Sequence, residues 1–186
     1  MIARWTAALA ALTLAGCNAH ESSSAADPEN RALLDRVMIG DLLTRYYSNF
    51  GSTAADAFDR YYTEDATFDV NGHVAHGKKE IEGIYAGLAS TGDSPAKRGT
   101  FHMLMTNPVI DVNGDTATAK LLWTGILNTQ VDAPPQFVEQ GREYDRLVKQ
   151  DGKWLISKRV VVADSGLPAS FKDTYAPRKD YDISKD

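Results

Sequence analysis

EQGREYDRLVKQ-DG-KWLISKRVVVA, residues 139–163, decides the fold. Two alternating runs meet at Asp151-Gly152, a dipeptide that tolerates the positive φ angles of a tight hairpin turn. The same pattern lies immediately upstream. Thr100 to Val112 meets Asn113-Gly114, and Asp115 to Gln130 runs back from it. Between the two hairpins, Val131 to Phe137 carries Pro134-Pro135 and reads as a loop, because proline cannot donate to a sheet ladder. Further upstream, Ala66 to Gly77 alternates around Asn71-Gly72, a third hairpin signal. The segments before and beside it read as helices. Asp27-Pro28 is an N-cap followed by proline in the first turn. Leu34, Met38, Leu42, Tyr46 and Phe50 then recur every four residues, with Leu33, Val37 and Leu43 widening the stripe. Gly51 stops that helix. Ser52 or Thr53 caps a second, carrying Phe58, Tyr61 and Tyr62, and Lys78 to Ala89 forms a third with Ile81, Ile84, Tyr85 and Leu88. Helices first and a long antiparallel sheet after them define an α+β domain over residues 27–164.

Composition narrows the function classes. An apolar share of 43% in a 186-residue chain supports one closed core. The net charge is −5 without a basic patch, which argues against nucleic-acid binding. The N-terminus is the most specific stretch. Arg4 and the short apolar run Trp5 to Leu14 lead into Leu14-Ala15-Gly16-Cys17, which resembles the lipobox of bacterial lipoproteins. That resemblance implies a signal peptide over residues 1–16 and acylation of Cys17. It also implies a domain facing the periplasm, held at the membrane only through its lipid. Asn18, rather than aspartate, favours the outer membrane by resemblance to enterobacterial sorting. Cys17 is the single cysteine, so the chain has no intrachain disulfide. Residues 17–26 read as acylated Cys and flexible tether, and 165–186 as a polar, loose tail in which Phe171 and Tyr175 are the candidates to dock.

Several local motifs, taken in order, resemble the SnoaL-like branch of the nuclear transport factor 2-like superfamily. They are Asp41-Leu42-Leu43-Thr44-Arg45-Tyr46, Tyr62-Thr63-Glu64-Asp65-Ala66, Gly77, His102 with Asn107, and Asn113-Gly114-Asp115-Thr116-Ala117. Gly141-Arg142-Glu143-Tyr144 and Asp151-Gly152-Lys153-Trp154 with Arg159 complete the series. The resemblance implies a cone in which three N-terminal helices pack on a strongly bent antiparallel sheet, with an apolar pocket at the open end. It also implies a small-molecule ligand, and a homodimer through the outer sheet face. Members include dehydratases, isomerases, epoxide hydrolases and cyclases, so fold alone does not name a reaction.

Within that frame His102 is the candidate catalytic residue, a general acid-base placed inside the cone by resemblance to scytalone dehydratase. The alternative is a core-bonded or edge-exposed histidine. The carboxylate that usually accompanies such a histidine is missing from Tyr47-Ser48-Asn49-Phe50-Gly51-Ser52. Asp41 reads better as a surface partner of Arg45, and the Asp-Arg-Asp set of the epoxide hydrolases is not evident. Tyr46, Tyr47, Tyr62, Asn107, Trp123 and Tyr144 complete the candidate ligand pocket, with Trp123 serving either as pocket floor or in packing. Arg142, Tyr144 and Arg146 share one strand face, for a carboxylate ligand or for water, and Glu143 and Asp145 share the other. His73 and His76 beside Asp69 lack metal-ligand spacing. No phosphate loop or nucleophile elbow stands in the chain, and no cofactor is read from it. The expectation is therefore a lipid-anchored binder of a small apolar or aromatic molecule. A cofactor-free dehydratase, isomerase or cyclase using His102 is the alternative, and a partner-docking module a third.

Overall fold

The structure is a computed structural model that describes residues 27–50, 58–90 and 95–186. The lipobox, the tether and the cap at Ser52 or Thr53 lie outside the described residues.

Helix α1 spans Pro28–Ser48, and its start is the one the sequence specifies. Asp27 accepts a hydrogen bond from the Glu29 backbone N–H, and proline occupies the first turn. A 3-10 turn at Asp59–Tyr61 leads into β1 (Tyr62–Val70) and β2 (His73–His76), with Asn71 and Gly72 both at positive φ between them. Helix α2 spans Gly77–Ser90, and Pro95–Arg98 forms a single-turn α3. Four long strands follow: β3 (Thr100–Asn113), β4 (Thr116–Asn128), β5 (Gln136–Gln150) and β6 (Lys153–Ser165). The turn at Asp151-Gly152 places both residues at positive φ, as a type I′ hairpin demands.

Two expectations change. The described residues hold two helices longer than one turn rather than three. Tyr61 and Tyr62, read as part of a second helix, instead end a 3-10 turn and open β1. The sheet is also mixed rather than purely antiparallel. Its order is β2-β1-β6-β5-β4-β3, and β1 runs parallel to β6 while every other neighbour is antiparallel.

The helices and the inner sheet face enclose one core. Ile39, Leu43 and Tyr46 of α1 pack against Ile81 of α2 and against Ala117, Ala119, Leu121 and Trp123 of β4. Met38, Leu42, Leu43, Tyr46 and Phe50 face the core as their spacing implies, but the first turns of the helix do not follow the stripe. Leu33, Leu34 and Val37 are exposed, whereas Asp35 is buried. The reason is polar. The Asp35 carboxylate accepts from Lys149 Nζ at 2.6 Å and from Trp154 Nε1 at 2.9 Å. Burial pushes its pKa upward, but those two bonds outweigh it and hold the carboxyl below its ordinary value.

The C-terminal segment is not loose. It runs across the outer face of β5 and β6, where Ile183, Tyr181 and Tyr175 cover Tyr144, Val160 and Val162. Arg142 donates to the Pro177 carbonyl at 2.8 Å and to that of Arg178 at 3.2 Å, and Arg146 donates to those of Ile183 and Asp186. No helix of the described residues is long and apolar enough to cross a membrane.

Candidate functional site

Inside the sheet, the side chains of β5 that alternation aims at the core are acidic. Glu143 and Asp145 are buried, and both meet Arg159 of β6, which is 0% exposed. The guanidinium engages Asp145 through two bonds, Nε to Oδ1 at 2.7 Å and Nη2 to Oδ2 at 3.1 Å. Glu143 Oε1 stands 3.0 Å from Nη2, and Glu143 Oε2 accepts from the Tyr47 hydroxyl at 2.8 Å. A planar five-donor cation suits this fork, because ammonium could not bridge both carboxylates in one plane. Burial works against the arginine's charge, but Asp145 and Glu143 outweigh it and hold its pKa above the ordinary value.

Arg159 supplies one positive charge against two carboxyls. Burial and the Asp145 carboxylate raise the Glu143 carboxyl well above its usual range, and the opposing pull of Arg159 does not cancel them. An acid–arginine–acid set, which the sequence did not reveal, is thus present across β5 and β6. Fully buried, Arg159 Nη1 has no hydrogen-bond partner, and Glu143 Oε1 makes no hydrogen bond beyond its ion-pair contact with Nη2. Thr63 Oγ1 is the third such atom. Buried donors and acceptors are nearly always paired, so these atoms mark where a further polar group belongs.

Aromatic rings surround the cluster. The Arg159 guanidinium lies 3.8 Å from the centre of the Tyr46 ring. The Tyr46 and Tyr62 hydroxyls stand 3.2 Å apart, and Tyr62 reaches Tyr85 at 3.4 Å. Phe58 and Tyr85 stack at 4.1 Å, and Phe50 and Phe68 close the cage. Burial keeps the Tyr46, Tyr47 and Tyr62 phenols protonated, each above its ordinary pKa. The interior is filled with these rings.

Of the residues read as pocket-lining, Tyr46, Tyr47 and Tyr62 meet at this cluster. Trp123 belongs to the same core; its ring lies flat on Gly141 and its Nε1 donates to the Arg142 carbonyl at 3.3 Å. The others lie elsewhere. His102 is exposed, on the β3 face opposite Met103 and Met105, which pack inward. Asn107 is also exposed: its φ of 52° makes the bulge at which β3 shifts register between Thr106 and Val109. That bulge returns Ile110 and Val112 to the inner face. Tyr144 is buried on the outer face, beneath Tyr181 and Ile183. Arg142 meets the Asp164 carboxylate and main-chain carbonyls, and Arg146 meets main-chain carbonyls. Asp41 pairs with Arg45 at 2.7 Å on the surface, as its spacing implied.

A mixed sheet curled on two helices over a buried acid–arginine–acid core has the nuclear transport factor 2 or cystatin-like architecture. A family model for the SnoaL-like domain matches residues 31–160, and the chain belongs to that family. No curated protein matches it. Solved structures share the fold. Rv3472, a function-unknown protein from Mycobacterium tuberculosis, is 26% identical, covering 75% of this chain and 78% of its own at a TM-score of 0.62. A nuclear transport factor 2-like protein from Novosphingobium aromaticivorans is 22% identical, with 78% and 92% covered and a TM-score of 0.64. A candidate scytalone dehydratase from the same organism is 16% identical, with 83% and 99% covered and a TM-score of 0.63.

Proposed function

We propose that the domain binds a small, largely apolar or aromatic molecule bearing a hydroxyl group, with Arg159 and Glu143 as its polar contacts. The observation that carries this reading is the buried Arg159 Nη1, which has no hydrogen-bond partner, beside Glu143 Oε1, whose contact is the 3.0 Å ion pair with Nη2. A single hydroxyl satisfies both, accepting from the guanidinium and donating to the carboxyl oxygen. The surrounding rings supply apolar contact, and Phe50 and Tyr85, the half-buried members of the cage, are the ones an entering molecule displaces. His102 has no part in it.

Titrating the full chain with 1-naphthol and with 1-methylnaphthalene tests this. The hydroxylated probe should bind about tenfold or more tightly, the worth of one buried hydrogen bond. His102→Ala should leave that affinity unchanged. Equal affinity for the two probes, or loss of binding in the His102 variant, would place the site elsewhere.

A second reading rests on Glu143, whose carboxyl keeps its proton well above the usual range in an apolar interior. Such a group is a general acid, and with Tyr47 beside it would serve a cofactor-free dehydratase or isomerase. Conversion of a bound probe, lost in Glu143→Gln, is its signature. A ring-filled interior that admits neither probe would instead suit a partner-docking module.

We further propose that the chain works at the cell envelope, facing the periplasm and anchored through Cys17, which Leu14-Ala15-Gly16-Cys17 supports. Cys17→Ala should leave the leader uncut and remove the acyl mass. An unchanged intact mass and unchanged membrane fractionation would exclude the anchor.

A further inference from the structure

Four residues along β5 from Glu143, the inner face carries another carboxyl that the Arg159 cluster does not use. Glu139 lines a cleft of about 270 Å³ together with Thr124, Phe137, Val138, Gln140 and Ser165. Two glycines make room for the Glu139 side chain beside it. Gly125 is the register partner of Glu139 on β4, and a Cβ there would stand 2.5 Å from Glu139 Cγ and 2.9 Å from Phe101 Cζ. Gly166, at a φ of 70°, comes so close that a Cβ would lie 2.2 Å from the Val138 carbonyl oxygen and 2.7 Å from Glu139 Cβ. The Glu139 side chain therefore lies against bare backbone and the Phe101 ring.

Glu139 has no ion pair or hydrogen bond among the described residues, and no lysine, arginine or histidine lines the cleft. Burial alone lifts its carboxyl to about 7. The other polar side chains are partly engaged with one another, since Gln140 Nε2 donates to Thr124 Oγ1 at 3.2 Å. At the rim, Phe137 is 76% exposed, an unusual position for a ring that nothing in the fold requires. A lone desolvated carboxyl lacks a cation, and an uncovered aromatic ring lacks an apolar or cationic partner. One molecule supplies both.

We propose that this cleft is a second binding site, for a small primary or secondary ammonium compound with an apolar or aromatic group. Glu139 is the counter-ion of the ammonium, and Phe137 and Val138 cover the apolar part. The volume admits a compact ligand. The site is separate from the Arg159 cluster, whose carboxyls already have a cation.

Calorimetric titration of the full chain at pH 8 with phenethylammonium tests this, with 2-phenylethanol and phenylacetate as neutral and anionic counterparts. The ammonium should bind saturably, and the other two at least tenfold more weakly, because a charge-assisted bond to a buried carboxylate is at stake. Glu139→Gln should abolish the preference for the ammonium while melting at the wild-type temperature or above. Phe137→Ala, at an exposed ring whose loss leaves the fold intact, should weaken binding severalfold. Glu143→Gln should leave it unchanged. Equal binding of 2-phenylethanol, retained affinity in Glu139→Gln, or no saturable binding at millimolar concentrations would each overturn the proposal.

Discussion

Replacing Arg159 with leucine should cost the fold about 3–5 kcal/mol at neutral pH, the toll of leaving buried carboxyls without their cation. Glu143 and Asp145 are both buried, and Asp145 has Arg159 as its ion-pair partner in two bonds. Urea denaturation should therefore show a greatly lowered midpoint with little change in slope. Arg159→Lys should lose much of the same stability, since one ammonium cannot reproduce the fork. In the native chain the sign of the Glu143 contribution follows from its raised carboxyl. The folded chain keeps a proton that the unfolded chain releases, so this stabilisation is fully present below the ordinary value of 4.5. It is lost as pH rises through the window between that value and the folded one. Glu143→Gln should flatten this part of the curve. A pH-independent difference between Glu143→Gln and the native chain would mean that Glu143 is ionised in the fold.

The second large effect concerns the C-terminal segment. Removing residues 176–186 uncovers Tyr144, Val160 and Val162, and breaks the Arg178–Asp69 and Lys158–Asp186 pairs. Ile183 alone, 4% exposed, contributes on the order of 1.5–3 kcal/mol by its burial. The shortened domain should melt on the order of 5–10 °C lower. It should also self-associate, because Tyr144, Val160 and Val162 then form an open apolar patch on the outer sheet face. A homodimer through that face, the one expected from the family resemblance, would have to displace the segment that covers it. Light scattering on the full and shortened chains separates the cases. A shortened chain that stays monomeric and melts unchanged would show that the segment contributes nothing to the face it crosses.

The sheet was largely legible in the sequence because its signals are local. Asn71-Gly72, Asn113-Gly114 and Asp151-Gly152 each mark a turn through backbone conformations that only a few residues adopt cheaply. The phase of α1 was legible from Met38 onward but not in its first turns. Asp35 faces inward to meet Lys149 and Trp154, more than a hundred positions away, while Leu33 and Leu34 face outward. An apolar stripe cannot report a polar contact of that range. His102 was misplaced for a related reason. Its strand carries apolar residues on both faces, Phe101, Met103 and Met105 on one and Leu104 on the other, so alternation does not say which face is the core. Arg159 was visible only as part of a motif, because an arginine in a strand ordinarily reads as surface. The one cue was its phase. Glu143 and Asp145 alternate with Arg142, Tyr144 and Arg146, and whichever set faced inward needed a countercharge from a neighbouring strand. In the C-terminal segment only Phe171 and Tyr175 were legible as docking residues; the rest read as loose because Arg142 and Arg146 hold its carbonyl oxygens, for which side-chain composition is no guide.

The proposed site requires a ligand hydroxyl to reach the arginine at the centre of the core. The most direct measurement is the 15N resonances of the Arg159 guanidinium, assigned by their loss in Arg159→Lys, followed while 1-naphthol is added to the full chain. The Nη1 signal should shift in proportion to occupancy and exchange more slowly with water, as a buried donor gains its partner. 1-Methylnaphthalene should leave it in place. An Arg159 spectrum unchanged at saturating 1-naphthol would contradict the assignment of this cluster as the binding site.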